Sequence, residues 1–556
     1  MADPFLIVVI SIVTLILLIV NLYILVYFQH PDDRNTAYFP KILVVLGLAF
    51  AEAAILLLPL DVSNKAGSVA CTNGWGSASF CGGLDMQAMW ETISMAIVVI
   101  VVVLIPYAIF MYESDDGFGN KTQKVWWEAL KMELGMLAIV SMIAGLMFHY
   151  LSTASIPAQE YTTQASNLPT YTGGGDITPE DVAAALTNTG DVTGPKGVSI
   201  ELQVSFATYM MAMIGFIGWW LFVVFGGIGM AALPIDLVRG FLYRPRKIPG
   251  RVYADEKTHL THTCKELIEI GEALKFDQEA FEAQKHSRWE RRKQRNADRT
   301  TMNKFKQMVY MLERKHTDLK AAKEESSKSN PLLPYVKLAI GMLCGLITLL
   351  WDLHIILYLM LDPPGDIFLN KYLIWFEDEL NFPLFGALSV GIFSMYLLAA
   401  VAKGCFKFGL RFFCFALHPM EVGATYMNSF MFNLGMILFC TIPTVQFSTS
   451  AFADYVRLAD VSNIFGAQVK NLKFFEFFYS NNVFVYMMFG VHLLALLYLL
   501  KFPEDRSAST KEFQELLENA RQQRAKGINP EAEDLKTLRP RAVGKGKSGA
   551  GGRGVI

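Results

Sequence analysis

Nine apolar runs dominate the chain, separated by polar segments of unequal length and charge. Phe5–Phe28, Pro40–Leu60, Gln87–Tyr112 and Trp126–Leu151 are the first four. A fifth starts at Val204 and passes through Trp219-Trp220 and Gly226-Gly227-Ile228-Gly229 to Leu233-Pro234-Ile235-Asp236. Pro334–Leu361, Pro383–Ala402, Ala424–Gln446 and Asn481–Leu500 complete the set. Each is about 20 residues or longer, enough for a helix to cross the hydrocarbon layer of a bilayer. The pattern predicts an all-α, polytopic membrane protein with about nine transmembrane helices.

The charges between the runs orient them. Arg239, Arg244, Arg246, Lys247 and Arg251 follow the fifth run closely, and positive charge beside a span resists translocation. The connectors 29–39, 113–125 and 403–419 carry most of the short-loop basic residues. The connectors 61–86 and 152–203 carry one lysine each, Lys65 and Lys196. The N-terminus is therefore expected outside or in a lumen, and the C-terminus in the cytosol. Arg457, Lys470 and Lys473 run against this, in a connector long enough to escape the rule. The first run lacks a basic start and a small-residue cleavage site, so it reads as a retained helix. Gly404–Leu417 is apolar but broken by Lys407 and Arg411, which suggests an amphipathic segment at the interface. The connector 152–203, with Gly173-Gly174-Gly175, reads as flexible outside short turns.

Four blocks result: 1–238 with five spans, 239–330 as a polar insert, 331–502 with four spans and the interfacial segment, and 503–556. The insert holds 22 Lys and Arg against 14 Asp and Glu. Leu260, Leu267, Leu274 and Phe281 recur every seventh residue, and Phe305, Leu312 and Leu319 repeat the spacing. That is the signature of a coiled-coil hairpin; a single solvated helix is the other reading. In the last block, Ser509 and Glu512 form a capping box ahead of a short amphipathic helix, and the Gly/Lys-rich tail beyond Lys526 is expected to be disordered.

Composition agrees with this picture. With 53% hydrophobic and 18% charged residues in 556, the chain is outside the range of a soluble globular protein. The net charge of −2 carries little information, because the charges are segregated.

Candidate chemistry is sparse. Cys71 and Cys81 lie in a Gly-rich outer loop in an oxidising compartment, so a disulfide is expected, with two free thiols as the alternative. Cys344 and Cys440 read as packing residues, while Cys405 and Cys414 lie at the cytosolic interface, where palmitoylation is an option. Ionisable or amide groups inside spans are costly unless paired or hydrated. Glu52, Asp352, His354, His492, Asn428 and Asn433 are the candidates. Their depths fit either one polar cavity or separate local pairs. Leu58-Pro59-Leu60-Asp61 and Leu233-Pro234-Ile235-Asp236 end spans at opposite faces, a weak hint of an inverted repeat against two ordinary helix stops. His259, His262 and Cys264 could be metal ligands, but they fit a solvated helix face better. There is no phosphate loop, dinucleotide fingerprint or nucleophile elbow. No enzyme activity, cofactor, metal or nucleic-acid partner is expected.

Several stretches resemble a known family. They are Gln29-His30-Pro31-Asp32-Asp33, Leu58-Pro59-Leu60-Asp61-Val62, Leu233-Pro234-Ile235-Asp236-Leu237, and His418-Pro419-Met420 with Thr425-Tyr426-Met427-Asn428-Ser429-Phe430-Met431-Phe432-Asn433. Their order, with the span count and insert, resembles the LIMR (limb-region/lipocalin-interacting membrane receptor) family over about residues 5–500, closest to plant and protist members. The resemblance implies nine spans, an outside N-terminus and homodimers as an option. Its functions differ in kind: endocytic receptors for lipocalins, a lysosomal protein of cobalamin export, and modulators of receptor signalling. The expected function is thus a non-enzymatic receptor or trafficking scaffold of the plasma or endolysosomal membrane. It would recruit cytosolic partners through the insert, with its ligand unnamed. The alternative is a small-molecule transporter using the mid-membrane polar residues; lipid handling is third. Tags at the two termini are expected to show opposite protease access in sealed vesicles, and equal access would overturn the nine-span topology.

Overall fold

The computed structural model describes residues 4–35, 38–72, 84–114, 122–160, 196–244, 248–282, 288–327, 332–361, 363–378, 383–408, 410–412, 415–418 and 420–501. The helices in chain order are α1 (Pro4–Phe28), α2 (Tyr38–Thr72), α3 (Met86–Glu113), α4 (Thr122–Leu151), α5 (Phe206–Leu242), α6 (Gly250–Glu282), α7 (Arg288–Ser327) and α8 (Leu333–Leu359). After them come α9 (Phe368–Asp378), α10 (Pro383–Phe408), α11 (Met427–Ala451) and α12 (Val483–Lys501). Among the described residues nine of these are long and apolar enough to cross a membrane: α1 to α5, α8, α10, α11 and α12. The segments of α3 at Ile100–Leu104 and of α8 at Ile355–Leu359 are π-helical turns.

Two compact units are present, Met1–Val238 with Ala339–Lys501 and, separately, Arg239–Leu338. In the first, α11 is innermost: 20 of its 25 residues are buried, whereas α1 and α4 are buried at only a few of their described positions. It is also the least hydrophobic of the nine spans, so polarity here marks the inside of the bundle. Its hydroxyls stay satisfied locally, as Thr441, Thr444 and Thr449 donate to the carbonyls of Ile437, Cys440 and Val445 one turn back. Gln446 accepts from the Trp219 indole at 2.8 Å, joining α11 to α5.

The α5–α10 crossing depends on two glycines. A side chain at Gly229 would collide with the carbonyl of Ala400, and one at Gly404 with the carbonyl of Phe225. Each backbone thus fills the space left by the other's missing Cβ, one helical turn apart. In lipid, where no hydrophobic force drives helix association, such close backbone contact supplies the attraction.

In the second unit α6 and α7 pack against each other. Leu267, Met308 and Met311 are buried, with Ile270, Phe305 and Leu312 around them. Leu319 is also buried and Leu260 half-buried, while the side chains of Leu274 and Phe281 lie outside the described set. Counting only the seven-residue repeat passed over Met308, which lies three residues after Phe305 and four before Leu312 at the second apolar position of the heptad, and its neighbour Met311.

Several expected boundaries shift. Residues 404–408 continue α10, and the rest of the expected amphipathic segment is a tight pair, β3 (Leu410–Phe412) with β4 (Phe415–Leu417). Lys403 and Lys407 both reach Asp236, which keeps the end of α10 helical and packed on α5. Cys405 is fully buried, which removes it as a palmitoylation site, and Cys414 lies outside the described residues. The flexible connector after α4 instead begins and ends in an antiparallel pair, β1 (Thr153–Glu160) with β2 (Lys196–Gln203). Residues 161–195, between them, are outside the description. β1 bonds on its other edge to Asn471 and Lys473, so this hairpin is anchored on the segment before α12. The Cys71–Cys81 pairing also lies outside the described residues.

Replacing Gly229 or Gly404 with valine is expected to prevent the α5–α10 contact and to cost at least about 3 kcal/mol by overpacking against backbone. Thermal denaturation of the purified variants in detergent measures this, beside Gly240→Val, which has open space at its Cβ.

Candidate functional site

Two buried carboxylates mark the ends of the bundle. Asp61, fully buried where the apolar stretch of α2 ends, accepts from the Trp90 indole at 3.0 Å and from the backbone N–H groups of Asp460 at 3.1 Å and Val461 at 2.7 Å. Those N–H groups begin the helical turns of Ser462–Val469, so Asp61 caps that segment across the bundle. At the opposite end Asp33 accepts from Tyr112 Oη at 3.1 Å and from the backbone N–H of Met427 at 2.9 Å, the first residue of α11. The same interactions recur: a carboxylate from the first membrane block, a helix N-terminus from the second, and an aromatic donor from α3. Carboxylates suit helix N-termini because their charge meets unpaired N–H groups and the positive end of the helix dipole.

Around Asp33 the chain interlocks further. His30 N–H donates to the Thr425 carbonyl, Thr425 N–H to that of Phe28, and Gly423 N–H to that of Tyr27. His30 stacks on Tyr426 at 4.3 Å. Asn433 donates to the carbonyls of His418 and Ser429, and Asn428 to the carboxylate of Glu113. Both asparagines sit in the first two turns of α11, at the end of the span rather than at depth.

The other sequence candidates lie apart from these. Glu52 accepts from Asn21 of α1 at 2.7 Å. His492 approaches Asp352 through Nε2 at 3.2 Å and the Gly227 carbonyl through Nδ1 at 3.3 Å. His354 and Asn370 both donate to the carbonyl of Ala451, where α11 ends and its last carbonyls lack helical partners. The six candidates therefore make their hydrogen bonds in four local sets. Among the described residues no three His, Cys, Asp or Glu side chains converge.

Sequence reading missed Asp33 and Asp61 as site residues, and Asn21 as the partner of Glu52. Glu133, within the fourth span, is buried and both its oxygens lack a partner among the described residues. The signal for the two aspartates was present, since each belongs to a motif that carries the family resemblance. Their roles were hidden because the partners lie about 400 residues away.

These features define a multi-pass α-helical membrane protein whose two membrane blocks are tied at both ends. The chain matches the model of the family described as LMBR1-like membrane protein over residues 6–330 and 285–499. A LIMR family protein of Dictyostelium discoideum is 32% identical over 534 residues, covering 91% of this chain and 99% of the relative. LIMR family proteins of Oryza sativa subsp. japonica and Arabidopsis thaliana are 32% and 31% identical, each covering 92% of this chain and 98% of the relative. The chain belongs to the LIMR family of LMBR1-like membrane proteins. No solved structure matches it.

Asp61→Ala is expected to cost about 3–5 kcal/mol, since it strands three buried donors at about 1–3 kcal/mol each before relaxation. Asp61→Asn keeps one acceptor oxygen and should fall between that variant and the parent. Denaturation midpoints of the three proteins decide it, and an alanine variant as stable as the parent would refute the capping role.

Proposed function

We propose that the protein is a non-enzymatic membrane receptor or trafficking and signalling scaffold, with its N-terminus outside or in a lumen and its C-terminus in the cytosol. The membrane is the plasma or endolysosomal membrane. The observation that carries this reading is that Glu52 pairs with Asn21 of α1 while His492 pairs with Asp352 of α8, so the two do not bond to each other. A solute pathway built on mid-membrane charges needs them to border one hydrated passage. Here each is taken up by a neighbouring helix, which suits a fixed bundle presenting its connectors. The helical insert, with its own small core, suits recruitment of cytosolic proteins.

In reconstituted vesicles no saturable flux of small polar solutes, cobalamin included, is expected from the parent. Glu52→Gln, which retains an acceptor for Asn21, should leave the purified protein folded and lower its stability by no more than about 1–2 kcal/mol. A saturable flux that Glu52→Gln abolishes at equal protein density would replace this reading with the transporter.

A further inference from the structure

Glu133 lies within the fourth span, is 2% exposed, and makes no hydrogen bond through either oxygen among the described residues. A carboxylate in hydrocarbon with neither donor nor cation is costly. A carboxylic acid is neutral and brings one O–H donor of its own. The helix beside it supplies an acceptor for that donor.

In the first half of α4 the buried positions are Val125, Ala129 and Glu133, every fourth residue on one face. α4 packs on α3, including the π-helical turn at Ile100–Leu104. Trp126 meets Tyr107 edge to face at 6.3 Å, which sets the register of these two antiparallel spans. Glu133 then lies about 10 Å beyond Trp126, and Val102 about 8 Å beyond Tyr107. A helical side chain leans towards the start of its own helix, so the Glu133 carboxyl returns to the level of Val102. Two other faces of this part of α3 are already taken. Ile100 and Leu104 line an apolar groove against α2, and Ile105 lies beside Gly435 of α11. Val102 and Pro106, one turn apart on a third face, are left for α4.

That face carries a gap in the backbone ladder. In an α-helix the Val101 carbonyl accepts from residue 105 and the Val102 carbonyl from residue 106. Here Ile105 N–H donates to the Ile100 carbonyl instead, and Pro106 has no N–H. Two adjacent carbonyls inside the span thus lose their α-helical donors, where no water replaces them. We propose that Glu133 is a proton-binding site of the span: its carboxyl is held as the neutral acid, and its O–H donates to the Val102 carbonyl. No other ionisable group competes for this proton on the packed faces. α3 has none between Glu91 and Tyr107, and Glu128 and Lys131 of α4 are exposed on other faces. The proposal is independent of the receptor or scaffold reading.

The test is infrared difference spectroscopy of the full-length protein in phosphatidylcholine nanodiscs at neutral pH. Parent minus Glu133→Gln is expected to show the C=O band of one protonated, hydrogen-bonded carboxyl, moving to lower frequency in heavy water. Loss of a carboxylate band instead would overturn the proposal. Pro106→Ala restores an N–H for the Val102 carbonyl, so the Glu133 band should move up towards that of an unbonded acid. A band that stays in place would put the acceptor elsewhere and overturn the assignment. Thermal melts test the donor separately. Glu133→Gln keeps an N–H for the carbonyl and should melt near the parent, whereas Glu133→Met, of similar size without a donor, should melt lower. Equal melting of the two variants would refute the bond, and the glutamine spectrum with these melts decides the matter where Pro106→Ala does not fold.

Discussion

The bundle depends on two carboxylates that cap helix N-termini across the molecule. Asp33 and Asp61 lie at opposite ends of the first membrane block, and each binds backbone N–H groups at the start of a helical segment in the second. α3 contributes an aromatic donor to each, Trp90 at one end and Tyr112 at the other. Those two residues are about 33 Å apart along a helix, close to the thickness of the hydrocarbon layer. Each lock therefore sits where a span leaves the membrane and where unpaired helix N–H groups are found. In the apolar layer itself such groups would have no water to fall back on.

Between the locks, α11 is both the most buried and the most polar of the spans. Lipid tails are as apolar as leucine, so apolar surface gives a span no reason to leave the periphery. Hydroxyls, amides and glycines do, because their contacts are made only with protein. The Gln446–Trp219 bond and the glycine contacts of α5 with α10 are the visible result. α1 and α4, with little to offer a neighbour, face lipid along most of their length.

How much of this the sequence could reveal follows from what periodicity encodes. Run length and charge asymmetry report depth, and the nine spans were legible to within a few residues at most ends. The direction in which a side chain points around the bundle is not encoded in one run. Glu52 and His492 both lie near mid-span, yet Glu52 meets α1 and His492 meets α8. Asn21 escaped notice because one amide barely lowers the hydropathy of a long run. The β1–β2 pair is a different case: Val198, Ile200 and Leu202 alternate with Ser199, Glu201 and Gln203, a strand signal inside a polar connector, whereas its anchor at Asn471 and Lys473 lies far away in the chain. The motif residues are the reverse case. Gln29 to Asp33 and Thr425 to Asn433 were visible as signatures, and only the fold shows that they bind each other.

The fold thus separates what is locked from what is open. The polar residues that sequence alone would assign to a pathway each bond to another helix or to a nearby carbonyl, while Asp352, His354, Asn428 and Asn433 each keep one buried polar atom without a partner among the described residues. Irregular packing lies towards the lipid. It shows in the α2–α3 groove, where a wider helical turn departs from regular packing in an otherwise close-fitting bundle. A π turn leaves backbone hydrogen bonding strained relative to the α form, and it persists only where its surroundings favour it. Along α3 it falls between the two aromatic donors, Trp90 and Tyr112, whose carboxylate bonds hold both ends of the helix. With its ends fixed, α3 takes up its extra residue within the span, on the side that faces lipid. The locks and the groove are therefore parts of one arrangement: fastening α3 at both interfaces confines its irregularity to the hydrocarbon layer.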